Sequence, residues 1–191
     1  LDYAEAGAIN PNARALVAVN PDSELITTAR ANGVLATLSV PNSPAGLING
    51  TSALIQLDGW TWEEMSVQSE VGLHISLPNL RFNPELFPAP FDARLEEIRK
   101  ASAQRLKMLE EAFDSAIAYR EARAQNDGTK IDVRWEAMLP AITGKRLVFF
   151  HAQDVNQIRF ALNFAKRYQL KAVIVGGADA PVLADLLKQR Q

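Results

Sequence analysis

Only two histidines and no cysteines are available to this chain for metal binding. His151 directly follows the apolar run "LVFF", at the carboxyl end of a predicted strand, where the functional groups of parallel α/β folds lie. This position favours a metal-ligand role for His151, while its isolation favours a satisfied structural histidine, so both interpretations stay open. His74, in "GLHISLP", alternates with Leu73 and Ile75 and is expected to face a neighbouring strand or solvent, which makes it the second candidate.

Two glycine-containing loops suggest anion binding. In "VGGADAP", Gly176 and Gly177 precede Asp179 and a predicted helix start, so free backbone amides there could hold an anion, although a glycine pair can also serve only to turn the chain. The loop "NSPAGLINGTS", residues 42–52, lacks the lysine of a phosphate-binding loop and precedes a strand-like run rather than a helix. It is therefore interpreted as a turn.

The elements around these residues alternate between helix and strand. Asn20 and Pro21 predict the start of a short helix that Gly33 ends, and residues 34–40 predict a strand covered on both faces. "LVFF" and "KAVIV" are further strands, each followed by a helix with an acidic cap, Asp154 or Asp179. Two consecutive strand–helix units of this length imply parallel strands, so the predicted fold class is α/β.

The middle of the chain departs from this alternation. Residues 41–90 carry short apolar segments separated by Pro, Gly, Asn and Ser, which predicts an irregular, β-rich insertion that ends in a proline-rich connector. One long helix with apolar residues at three-to-four spacing is expected over residues 92–125.

Composition excludes several classes of function. With 191 residues, of which 48% are hydrophobic and 22% charged, the chain can bury one sizeable core or two small ones. A net charge of −2 and the lack of a basic cluster argue against nucleic acid as a partner. No apolar run is long enough to span a bilayer, and no signal peptide is visible. Without cysteines there are no disulfides to indicate a compartment, so a cytoplasmic or a periplasmic bacterial location remains open.

Two long segments resemble the amidohydrolase superfamily, specifically its bacterial imidazolonepropionase-like branch. The first is "NPDSELITTARANGVLATLSVPNSPAGLINGTSALIQLDGWTWEEM", in which an "ARAxGV" helix end leads to a strand and then to a "GxIxGxSAxxxLxG" loop and hairpin. The second is "VFFHAQDVNQIRFALNFAKRYQLKAVIVGGADA", which is similar to a later strand–helix–strand unit of that branch. Together they cover about two thirds of the chain.

The resemblance implies a (β/α)8 barrel that uses a divalent metal, with zinc favoured, to activate water for attack on an amide or cyclic amide bond. His151 matches a histidine that closes a strand and would be a metal ligand. Gly176 stands where the next strand of the branch commonly ends in histidine. The first-strand His-x-His pair and the C-terminal part of the barrel do not match any segment of this sequence, and a zinc site usually requires three or four ligands.

These departures predict that the chain is a partial barrel from a larger hydrolase of a small-molecule substrate, and that by itself it is inactive and without a tightly bound metal. The alternative is a non-catalytic domain that binds a small molecule or protein on a degenerate amidohydrolase scaffold. Because a barrel of this kind usually needs about 250 residues, uncovered strands are expected to pack against missing segments of the same protein or to form a homo-oligomer.

Overall fold

The computed structural model describes residues 7–43, 45–81, 92–125 and 128–189, and the proline-rich connector lies largely outside them. The chain folds as a mixed α/β structure, which confirms the predicted class. Within these ranges, two 3-10 helices, Leu16–Ala18 and Ala180–Leu183, accompany the main elements. The helices are α1 (Glu24–Ala31), α2 (Trp62–Met65), α3 (Asp92–Gln125), α4 (Val133–Ile142), α5 (Val155–Tyr168) and α6 (Ala184–Lys188), and the strands are β1 (Ala36–Ser39), β2 (Ile48–Thr51), β3 (Ala53–Gln56), β4 (Ser66–Gln68), β5 (Gly72–Ser76), β6 (Leu147–Ala152) and β7 (Ala172–Gly176).

A four-stranded sheet with the order β2-β5-β6-β7 forms the centre of the molecule. Strands β5, β6 and β7 run parallel, and β2 pairs antiparallel with β5. The β6–α5–β7 unit is therefore the parallel strand–helix–strand unit that the sequence predicts. Helix α5 begins with a capping box in which the Asp154 side chain accepts from backbone N–H groups and Gln157 accepts in return, and this box sets where β6 ends.

Helices cover one face of this sheet, and both histidines lie on the other face. On β6 the alternate residues Val148, Phe150 and Ala152 are fully buried in the core that α3, α4 and α5 complete. Phe113 of α3 meets Phe164 of α5 edge to face, with ring centroids 4.9 Å apart. Because side chains alternate along a strand, Phe149 and His151 point to the opposite face. We call this the histidine face and define it by His74, Ser76, Phe149 and His151.

A strand forms within residues 34–40 as predicted, but the expectation that both of its faces are covered was wrong. Strand β1 pairs only with β3, in a separate three-stranded antiparallel sheet with the order β1-β3-β4, and its residues are largely exposed. Leu35, just before it, is 73% exposed. This smaller sheet has its own core, made of Leu16, Ala53, Ile55, Leu57 and Met65. An apolar run predicts a strand, but the partner that the strand finds decides how much of it is buried.

The segment 41–90 contributes to both sheets, since β3 and β4 join β1 while β2 and β5 join the central sheet. The predicted start of the first helix was also wrong. Helix α1 begins at Glu24, and the Asn20 side chain instead accepts from the Asp22 N–H, which closes a turn before the helix. Among the described segments, no helix combines the length and apolar character needed to cross a membrane.

Candidate active site

The two histidines, 77 positions apart in sequence, meet on the histidine face. His74 lies on β5 and His151 on the neighbouring parallel strand β6, two register steps nearer the carboxyl end. His74 Nδ1 and His151 Nε2 are 2.9 Å apart, the distance of a hydrogen bond in which one ring donates and the other accepts. His74 also stacks on Phe149, with ring centroids 4.6 Å apart and planes 6° from parallel. His74, which was expected to face a neighbouring strand or solvent, therefore pairs with the imidazole of His151.

Burial keeps both imidazoles neutral at pH 7. The His74 side chain is 1% exposed. Burial, and secondarily the nearby charge of His151, lowers the pKa of His74 to about 4. Burial also lowers the pKa of His151, which is partly exposed. His74 Nε2 is buried without a hydrogen-bond partner. Neutral imidazole is the form that ligates metals, so the pair has the protonation state a metal requires.

Two residues that sequence reasoning missed extend this cluster across the sheet. Ser76 lies opposite His151 in the β5–β6 register, and its hydroxyl accepts from Asn49 Nδ2 of β2 at 2.7 Å. The spacing of two between His74 and Ser76 places both on one face and could have identified Ser76. Nothing local to Asn49 could have identified it, because its contact depends on the antiparallel pairing of β2 with β5.

The described residues do not form a complete metal site. Within residues 7–43, 45–81, 92–125 and 128–189, no three His, Cys, Asp or Glu side chains come close enough to hold one ion. The pair supplies two imidazole ligands, whereas zinc in proteins takes three or four protein ligands. His74 and His151 would therefore fit as part of a coordination shell that other residues complete.

Gly176 occupies a strand end whose backbone conformation favours glycine. Its φ is +93°, and a Cβ atom there would meet the carboxamide of the exposed Gln153 side chain, which would have to move aside. The end of β7 is therefore packed by Gln153 where the resemblance would place a histidine.

The turn of Gly176, Gly177 and Asp179 is hydrogen-bonded to the end of β6 and the start of α5, whereas the two histidines bond each other. The Asp179 carboxylate accepts the Val155 N–H at 3.3 Å, so it adds to the capping of α5. The Gly177 N–H donates to the Ala152 carbonyl at 2.7 Å, and the Asp179 N–H donates to the Gln153 carbonyl at 3.0 Å. These two amides of the glycine turn already have acceptors within the protein.

The fold is similar to that of a known enzyme. A crystal structure of an amidohydrolase from Thermotoga maritima MSB8 superposes with a TM-score of 0.82 over 97% of this chain and 48% of that chain, at 21% sequence identity. The chain thus spans about half the length of that protein. No family model and no curated protein matches the sequence. At this identity the likeness establishes the shared fold.

Acid should destabilise the protein through His74. Between pH 6.5, the ordinary pKa, and pH about 4, the folded-state pKa, an unfolded chain binds a proton that the folded chain does not. The free energy of unfolding should therefore decrease as the pH falls from 6.5 to about 4, by at most about 3 kcal/mol. Urea unfolding at several pH values measures the loss. His74→Asn removes the titrating group and should flatten the dependence, whereas an unchanged slope in that variant would contradict the assignment.

Gly176 and Gly177 give a matched pair of substitutions. Both glycines have a positive φ, +64° at Gly177 and +93° at Gly176, and a Cβ at Gly176 would also meet the end of the exposed Gln153 side chain. Because that side chain can move aside, the backbone conformation sets the cost, and Gly177→Ala and Gly176→Ala should each lower the unfolding free energy by about 1–2 kcal/mol. Adding Gln153→Ala to Gly176→Ala should change this cost little. A larger cost at Gly176 that Gln153→Ala relieves in chemical denaturation would show instead that Gln153 constrains β7.

Proposed function

We propose that this chain is part of a metal-dependent amidohydrolase of the imidazolonepropionase-like branch. The complete protein would hydrolyse the carbon–nitrogen bond of an amide or cyclic amide by means of an activated water. The observation that carries the proposal is the His74–His151 pair, in which His151 lies near the carboxyl end of β6 and His74 lies in the middle of the neighbouring parallel strand β5. In barrel enzymes the catalytic groups lie at this end of the strands. The fold shared with half of the Thermotoga amidohydrolase supports it.

In this proposal His151 is a metal ligand and His74 lies beside it as a second imidazole. The metal is divalent, and zinc is the first choice because two imidazoles suit it. The remaining ligands would come from outside the described residues. The chain by itself is then inactive, since a pair of imidazoles does not complete a catalytic site.

We further propose that the chain is part of a (β/α)8 barrel whose interior is the histidine face. Helices pack on the other face of the central sheet, and Val173, Val175 and His151 remain only partly buried. The described strands do not close a barrel, and β7 lies at the edge of its sheet. Further segments of the same protein, or a second copy of the chain, would cover this face and edge.

Residues 1–191 alone should therefore self-associate. The outer edge of β7, which pairs only with β6 among the described strands, offers free backbone groups to another chain, and its apolar side chains gain from burial. Light scattering at micromolar concentration should give a mass above that of one chain. A monomeric mass together with cooperative unfolding that does not depend on concentration would show that the histidine face is stable in water.

A non-catalytic binding domain is the second candidate, and the end of β7 favours it. Gly176 and the Gln153 carboxamide occupy the strand end at which the resemblance implies a ligand. A scaffold that has lost ligands in this way could still bind a small molecule or a protein partner at its strand ends.

Metal analysis of the full-length protein, combined with a panel of amide and cyclic amide substrates, separates the two candidates. The hydrolase predicts stoichiometric divalent metal and turnover, both lost in His151→Ala and both retained in Lys166→Gln, an exposed position on α5. Residues 1–191 alone should show no turnover and bind zinc no more tightly than about 1 μM. Full-length protein without metal or turnover would favour the binding domain. Sub-micromolar, one-to-one zinc binding by residues 1–191 would contradict the proposed incompleteness of the pair.

A further inference from the structure

A buried glutamine joins the two loops that follow the strands of the histidine pair. Gln157, in the first turn of α5, is 8% exposed. Its Oε1 accepts the backbone N–H groups of Gln153, at 2.8 Å, and Asp154, at 3.3 Å, in the loop after β6. Its Nε2 donates to the carbonyls of Leu77, at 3.3 Å, and Pro78, at 2.9 Å, in the loop after β5. One side-chain amide thus connects two strand ends that are far apart in the sequence.

The backbone ladder between β5 and β6 ends beside the histidine pair. Ser76 and His151 are the last residues of the two strands in register. Just beyond them the Leu77 N–H reaches the His151 carbonyl at 3.4 Å, a long hydrogen bond, and Pro78 has no N–H to donate. Backbone bonds therefore hold the two strand ends only weakly at the position of His151. The Gln157 amide supplies further cross-links at this point, where the ladder stops.

Helix capping by itself does not require glutamine at position 157. Glutamate serves equally well at the third position of a capping box, because only a side-chain oxygen is used there. The contact with the carbonyls of Leu77 and Pro78 needs a donor, which an ionised carboxylate lacks. The Gln157 amide uses its full capacity, with two hydrogen bonds accepted and two donated. The residue type therefore indicates a role across the sheet in addition to capping.

We propose that Gln157 is a positioning residue for the histidine pair, which it acts on through the carboxyl ends of β5 and β6. His151 lies next to the link, whereas His74 lies in the middle of β5 and is held by its stacking on Phe149. Without the link the strand ends separate, and the His151 ring moves away from His74. The importance of this role for catalysis rests on the proposed function. The geometry of the pair itself can be measured without metal or substrate, so the two proposals hold or fail separately.

The test is NMR spectroscopy of the protein with isotope-labelled histidine, in metal-free buffer at about pH 8, where both imidazoles are neutral. A hydrogen bond of 2.9 Å between His74 Nδ1 and His151 Nε2 transmits a scalar coupling between the two nitrogens, and this coupling should be present in the unsubstituted protein. Gln157→Glu keeps the acceptor for the helix cap and removes both donors to the loop after β5, so the coupling should be lost. Absence of the coupling in the unsubstituted protein, or its persistence in folded Gln157→Glu, would overturn the proposal.

Asp154→Ala is the matched control, because it weakens the same helix cap and leaves the four hydrogen bonds of Gln157 in place. It should lower the midpoint of urea unfolding and keep the coupling between the imidazoles. Loss of the coupling in Asp154→Ala as well would show that the start of α5, and not the link to β5, positions the pair, and would overturn the proposal. If circular dichroism shows that Gln157→Glu does not fold, Gln157→Met decides, since it removes the link without adding a charge, and an unchanged coupling in that variant would overturn the proposal.

Discussion

The parallel pairing of β5 with β6 is the constraint on which the rest of the candidate site depends. It brings His74 and His151 to within hydrogen-bond distance, places Phe149 against the His74 ring, and sets Ser76 opposite His151. Because the same pairing buries His74, the imidazole stays neutral at physiological pH. The position, environment and protonation of the pair thus have one structural cause.

The helical side of the central sheet provides the rigidity that this arrangement needs. Alternate residues of β6 are buried among the aromatic side chains of α3 and α5, so β6 cannot rotate without disrupting that core. Asp154, Gln157 and Asp179 then fix the start of α5 directly after the strand. The loop that follows His151 is consequently held by helix capping. Polar residues there stabilise the fold rather than contact the histidine pair.

Asn49 of β2 lies beside both the histidine face and a neighbouring pocket of about 430 Å³. Its Nδ2 donates to the Ser76 hydroxyl on the histidine face. Residues between Asn10 and Ala18 and the loop after β1 form the rest of the pocket wall, so the smaller sheet contributes to a surface next to the central sheet.

The sequence alone determined the α/β class, the parallel β6–α5–β7 unit and the position of His151 at a strand end. These features follow from local patterns: apolar runs, cap residues and the length of the crossover. The resemblance of its sequence led us to expect part of a larger barrel, and the chain spans 48% of the Thermotoga protein whose fold it shares. The exposure of β1 was not predictable, because an apolar run carries no information about its pairing partner.

Only the tertiary structure decided that His74 is a partner of His151, that Asn49 and Ser76 join them, and that Gln153 packs against Gly176. Each of these contacts joins residues on different strands or loops, up to 77 positions apart. Their geometry depends on strand order and register. Register is fixed by the burial of a whole sheet face, a property of the assembled core that no short stretch of sequence contains.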